Sequence, residues 1–279
     1  MSSPVADLRA LGAAGLKEWR LLRRYPSLFI GFLFWPIALP VSYVLQADGF
    51  AGGSDAARDA FASRAGTADV AGFLFLGWAA YMWISMILWG PGTALRTDQI
   101  RGTLEAVFMT PASRLVVIFG PVVSQVVWAV WMFTVVGVVL TVFFGAPIGP
   151  LEALRALAVI ILAVPALYGL GALFAAVVLR FGEVGAMVQG VRGVFTVLCG
   201  MSFPIVILPE WARTVALTLP PTYLIADLRG VLLSGARLVE LLPDLAILLG
   251  LGIGLCLLAV VAFRRTERHA RRGGSLAQY

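Results

Sequence analysis

The sequence predicts an all-α integral membrane protein with six transmembrane helices, an amphipathic interfacial helix before the first and re-entrant half-helices before the last. Two observations carry that prediction. Of 279 residues, 60% are hydrophobic and only 13% charged, with a mean hydropathy of +0.93, whereas a soluble domain carries about 25% charged residues. The apolar residues also gather into blocks of 18 or more, and about 20 helical residues cross a hydrocarbon core of roughly 30 Å.

Residues 1–26 form the first element. Val5, Leu8, Leu11, Gly15, Leu16, Trp19 and Leu22 recur at helical spacing, and Arg9, Lys17, Glu18, Arg20, Arg23 and Arg24 fill the other face. A basic amphipathic helix with an interfacial tryptophan lies on a membrane surface. Basic residues spread through this pattern interrupt any apolar signal-peptide core, so the chain is expected to be inserted intact.

The membrane domain follows over residues 27–263, with spans at about 27–45, 70–89, 115–144, 154–179, 184–208 and 246–263, and a basic tail over 264–279. An even number of spans places both termini on one side. With the termini inside, fourteen basic residues lie inside and six outside, with Arg192 within a span; this bias points to cytoplasmic termini, and the expected location is the plasma membrane. The net charge of +6 is therefore orientation information rather than a nucleic-acid surface. The stretch 46–69, rich in Gly, Ala, Asp and Ser, reads as a short mobile connection.

Residues 209–243 break the pattern. The apolar runs 211–219 and 223–233 are too short to cross, and Pro209, Pro220, Pro221 and Pro243 are expected to end helices where they stand. The result would be two half-helices dipping into the outer leaflet, their non-helical backbone shielded by protein.

Chemistry-bearing groups are few. Cys199 and Cys256 sit inside apolar blocks without a CxxC pair and read as packing residues. His269 lies in the basic tail, and no metal site is expected. A GxxxxGK[ST] phosphate loop is absent from the sequence, so nucleotide is not cradled by that device. Asp227 and Asp244 fall at the expected ends of segments, and Glu183 marks a cytoplasmic turn. Arg192 stands about 12 Å along the fifth span, either lining a path with Gln189 or snorkelling toward Glu183. Gln125, Thr134 and Thr141 in the third span either line a cavity or join helices. Gly250 and Gly254 have the spacing of a close helix contact.

Two motifs then fall into order. The cytoplasmic segment Asp98-Gln99-Ile100-Arg101-Gly102-Thr103-Leu104-Glu105, followed by Thr110-Pro111-Ala112-Ser113-Arg114, resembles that of type 2 ABC transporter permeases. The stretch Phe203-Pro204, Leu208-Pro209, Trp211, Leu219-Pro220-Pro221-Thr222-Tyr223 and Leu228-Arg229-Gly230 is similar to that family's approach to its final span. The resemblance extends over nearly the whole chain; Gln99 departs from the acidic run.

The resemblance implies a permease dimer, of two copies or with a paralogous permease, seated on ATP-binding-cassette ATPase subunits in a lipid membrane. ATP and Mg2+ would bind to the partner ATPase, with no cofactor on this chain. It also implies a cytoplasmic coupling helix between the second and third spans, which assigns the ATPase contact to Arg96, Asp98, Arg101, Gly102, Thr103, Leu104, Glu105, Thr110, Pro111 and Arg114. Without the motif, residues 96–114 read equally well as a charged loop. The expected function is outward export of an amphipathic drug-like or lipid-like molecule, the alternative being a lipid-linked polysaccharide. An ion-coupled carrier is disfavoured because the spans hold almost no carboxylate, and a membrane enzyme because no nucleophile and base stand together.

Overall fold

A computed structural model describes residues 26–51, 55–100, 122–181 and 184–273, with Gly12, Leu16, Arg20 and Arg24 ahead of them. The expected interfacial helix over 1–26 and the coupling segment after residue 100 therefore lie outside the described residues, apart from those four positions and Pro26.

Nine α-helices follow in order among the described residues: α1 (Pro26–Ala51), α2 (Asp55–Ala65), α3 (Val70–Ile100), α4 (Val122–Phe144), α5 (Pro150–Phe181), α6 (Val184–Leu198), α7 (Glu210–Ala216), α8 (Pro220–Ser234) and α9 (Leu242–Gly273), with a 3-10 turn at Ile205–Ile207. Among the described residues no strand is formed. Four helices among the described residues are long and apolar enough to cross a membrane, over Val70–Gly90, Gln125–Phe144, Pro150–Val178 and Leu242–Ala262. α1 continues through Pro36 and Pro40, and α6, at 15 residues, reaches only about 22 Å.

α3 is the central helix: 78% of its crossing window is buried, against 22% for α9. Phe75, Leu76 and Trp83 of α3 meet Phe133 and Val136 of α4, Val159 and Leu167 of α5, and Leu224 and Leu228 of α8 in one core. Tyr43 stacks on Trp78 at 5.6 Å and docks α1 onto the same helix. The outward faces stay apolar, with Val142, Phe143, Ile253 and Leu257 more than 60% exposed, as a bilayer or a second membrane subunit requires.

Local chemistry sets the helix ends. The Gly72 N–H donates to Asp69 Oδ1 at 2.7 Å, capping α3. The Gly149 N–H donates to Glu152 Oε2 at 3.0 Å, and Pro150 supplies a pre-set first residue for α5. Pro220 likewise stands in the first turn of α8, Pro209 caps α7, and Pro243 falls in the first turn of α9. These prolines were expected to stop helices; they start them, because a first-turn residue needs no N–H partner.

Other boundaries also move. The fifth span, expected to reach residue 208, ends at Leu198; Gly200 then takes φ +72°, and Pro204 precedes the 3-10 turn. The connection over 46–69 is largely helical, since α1 runs to Ala51 and α2 fills Asp55–Ala65. α9 continues to Gly273, carrying helix into the expected tail. Among the described residues Gly250 and Gly254 meet no packed neighbour and face open space. The close contact lies one helix face away, where a Cβ on Gly252 would sit 3.0 Å from the Ala166 nitrogen and one on Gly169 would sit 2.8 Å from the Cys256 nitrogen. Cys256 Sγ donates to the Pro165 carbonyl at 3.3 Å in the same α5–α9 seam, and Cys199 is buried in the core.

Candidate functional site

The cytoplasmic-type segment begins on α3, which continues as helix through Arg96 and Asp98 to Ile100, about 15 Å past Gly90. Arg101, Gly102, Thr103, Leu104, Glu105, Thr110, Pro111 and Arg114 lie outside the described residues.

The three polar residues expected along a pathway are held by different neighbours. Gln125 Oε1 accepts from the Tyr168 hydroxyl at 2.7 Å, and its amide stands where a Cβ on Gly90 would be. Gln125 thus ties α4 to α5 beside α3, the joining role. Tyr168 itself escaped sequence reading; a tyrosine inside an apolar span was the signal. On α6, Arg192 Nη1 donates to Gln189 Oε1 at 3.2 Å, and the guanidinium lies 4.7 Å from the Tyr81 ring centroid. Arg192 Nε is buried without a hydrogen-bond partner among the described residues. Glu183, the other candidate partner, lies outside the described residues. Val188 and Phe195 bury one face of α6, leaving Gln189 on the exposed face.

A cavity of about 620 Å³ opens between α4 and α5, with Leu232 of α8 at its edge. Thr134 and Thr141 line it, but their hydroxyls donate to the Val130 and Gly137 carbonyls at 2.7 and 2.9 Å. With those groups satisfied within their own helix, the cavity presents a largely apolar wall to an occupant.

Arg229 organises the segment before the last span. Its Nε and Nη2 donate to the Phe73 carbonyl at 3.2 and 2.8 Å, Nη1 donates to Gly200 at 2.7 Å, and Nη2 also donates to Met201 at 3.0 Å. The guanidinium carbon lies 3.3 Å from the Phe73 ring centroid. One side chain of α8 thereby fastens the start of α3 to the backbone released at the end of α6. Gly77 makes room for this, since a Cβ there would overlap the Met201 carbonyl oxygen and press on Nη2. Sequence reading placed Arg229 on the outer side, in the re-entrant stretch before the last span, without a partner; the glycine within span two was a local sign of a close approach.

Two further bonds fold α8 back on α7. The Thr222 hydroxyl donates to Ala216 at 2.6 Å and the Tyr223 hydroxyl donates to Leu217 at 2.8 Å. Pro220 and Pro221 are buried beside them, whereas Trp211 remains 70% exposed. Asp227, expected at a segment end, is instead midway along α8 with no solvent exposure, and neither carboxylate oxygen has a hydrogen-bond partner among the described residues. Burial, reinforced by the nearby Asp244 charge, raises its carboxyl to about 7. α8 is not one of the crossing helices.

The chain has no detectable match among curated proteins. The apolar crossing helices and the motif-bearing segments agree with a broader comparison: a family model described as ABC-2 type transporter matches residues 16–233, more than half of the sequence, and the chain belongs to that family of membrane permeases.

Proposed function

We propose that this chain is the transmembrane subunit of an ATP-driven exporter whose ATPase is a separate polypeptide. Two permease copies, or this chain with a paralogue, would sit on two ATP-binding-cassette subunits in the plasma membrane, with both termini cytoplasmic. ATP and Mg2+ belong to that partner, because the sequence of this chain has no phosphate loop to cradle them. The single observation that carries the reading is the family match over residues 16–233 on a chain with four membrane-crossing helices among its described residues. α1 and α6 supply the fifth and sixth passages in this reading.

The cargo is an amphipathic drug-like or lipid-like molecule moved outward by alternating access. The largely apolar lining between α4 and α5 supports that class; Gln189 and Arg192 on α6, which do not line that cavity, are proposed as polar groups elsewhere along the path. Trp211 and the α7–α8 turn form the outer, re-entrant end. ATP closes the ATPase pair because it binds the closed state more tightly, and differential affinity is what biases the permease.

Coupling passes through the segment from Arg96 to Arg114. Thr103 or Gly102 can start a short helix whose first turn holds Glu105, and Pro111 ends it. Charge reversal at Glu105 or Arg101 is expected to cut substrate-stimulated ATP hydrolysis by about fivefold or more, in line with typical coupling free energies, while leaving the permease folded. Full stimulation and transport in such variants would contradict the assignment.

A further inference from the structure

We propose that the cavity between α2, α8 and the turn after α6 is a binding site for a phosphate group, carried on a lipid headgroup or on a soluble phosphate compound. The proposal goes beyond the transport reading and requires no ATPase. The cavity holds about 280 Å³, and its lining includes Arg64 and Arg229 but no Asp or Glu. Two formal positive charges thus face one small space with no carboxylate to balance them.

The Arg229 carbonyl bonds do not remove that imbalance, because carbonyls accept hydrogen bonds without supplying net charge. Those bonds use Nε once, Nη1 once and Nη2 twice. A guanidinium has five N–H groups, so one Nη1–H has no acceptor among the described residues. Arg64 stands in the last turn of α2 and has no ion pair there. Asp69, which is not on the lining, accepts from the Gly72 N–H.

Two hydroxyls on the lining are also open as donors. Thr67 Oγ1 accepts from the Asp69 N–H, which leaves its own O–H to donate, and Ser234 Oγ has no hydrogen-bond partner among the described residues. An occupant therefore meets a fork from Arg64, one N–H from Arg229 and two hydroxyl donors. That donor set, without acceptors needing protons, matches the several acceptor oxygens of a phosphate better than the two of a carboxylate. The apolar side chains of the lining, Phe73, Ile205 and Ile225, accommodate the group to which the phosphate is attached.

The test uses the full chain in a maltoside detergent, which contributes no phosphate. Inorganic phosphate and dioctanoylphosphatidylglycerol are titrated while thermal unfolding is followed, with dioctanoylglycerol as the phosphate-free control. Both phosphate probes should raise the melting temperature saturably and the control should not. Arg64→Gln, at an exposed position that does not disturb the Arg229 clamp, should weaken the apparent affinity by about tenfold, the size of one charge-assisted interaction; Arg64→Lys should recover most of it. Tighter binding of the lipid than of inorganic phosphate assigns the site to a headgroup, and equal binding assigns it to a soluble phosphate compound. Absence of saturable stabilisation in the wild type, or equal affinity in Arg64→Gln, overturns the proposal.

Discussion

The Arg229 guanidinium holds three carbonyls from two distant parts of the chain, so its loss would leave buried acceptors without partners at about 1–3 kcal/mol each. Arg229→Lys keeps the charge, but a single ammonium cannot reproduce the fork that reaches Phe73, Gly200 and Met201 together. Thermal unfolding in nanodiscs should therefore show Arg229→Lys destabilised by about 2 kcal/mol or more; a wild-type melting temperature would mean that the clamp contributes little. Asp227 gives a second expectation at this scale. Its folded-state carboxyl titrates near 7 against about 3.9 in an unfolded chain, so the folded state holds a proton that the unfolded state has lost. Stability should fall as pH rises from about 4 to 7 and stay low above that. Asp227→Asn, uncharged throughout, should lose this dependence, as melting curves at pH 5.5 and 8.5 would show. Neither role was legible in the sequence: Arg229 read as an outer-side residue of the re-entrant stretch and Asp227 as a segment end, because nothing local reveals which carbonyls or apolar groups the fold brings around a short helix.

Among elements, α5 and α9 form the tightest pair, and their seam distinguishes glycines that the sequence could not. Gly250 and Gly254 have the familiar four-residue spacing, yet both face open space; Gly252 and Gly169 make the close approach to the Ala166 and Cys256 backbones. Alanine at Gly252 or Gly169 should cost about 1–3 kcal/mol through overpacking. The same change at Gly250 or Gly254 should be neutral or favourable by up to about 1 kcal/mol from helix propensity. Equal losses at all four positions would argue that a partner chain covers the open face. Much else at this scale was legible. Apolar length located α3, α4, α5 and α9, and the two short runs around the tandem prolines became α7 and α8. The direction of proline's effect was misread, since the same residue that interrupts a helix interior is well suited to its first turn. The early end of α6 was hidden because the apolar pattern continues past Leu198, whereas Gly200 at positive φ and Pro204 redirect the backbone.

For the whole molecule, composition sufficed to establish a helical membrane protein, and ordered motifs led to the ABC-2 type family that the match over residues 16–233 shows. The described helices form one packed bundle around α3, with apolar outer surfaces left for lipid or a second subunit. What composition and packing within one chain do not encode is the cargo, because the polar groups of the spans are few and are engaged within the protein, Gln125 with Tyr168 across helices and Thr134 and Thr141 within their own. The account's central claim is that this bundle works only with a separate ATPase. The most direct measurement is ATP hydrolysis by this chain reconstituted in nanodiscs with a co-expressed ATP-binding-cassette subunit, compared with each component alone and titrated with amphipathic candidates. Stoichiometric co-purification with hydrolysis stimulated by at least one amphiphile is the expected result, whereas transport by the chain alone, driven by an ion gradient and indifferent to the ATPase, would contradict it.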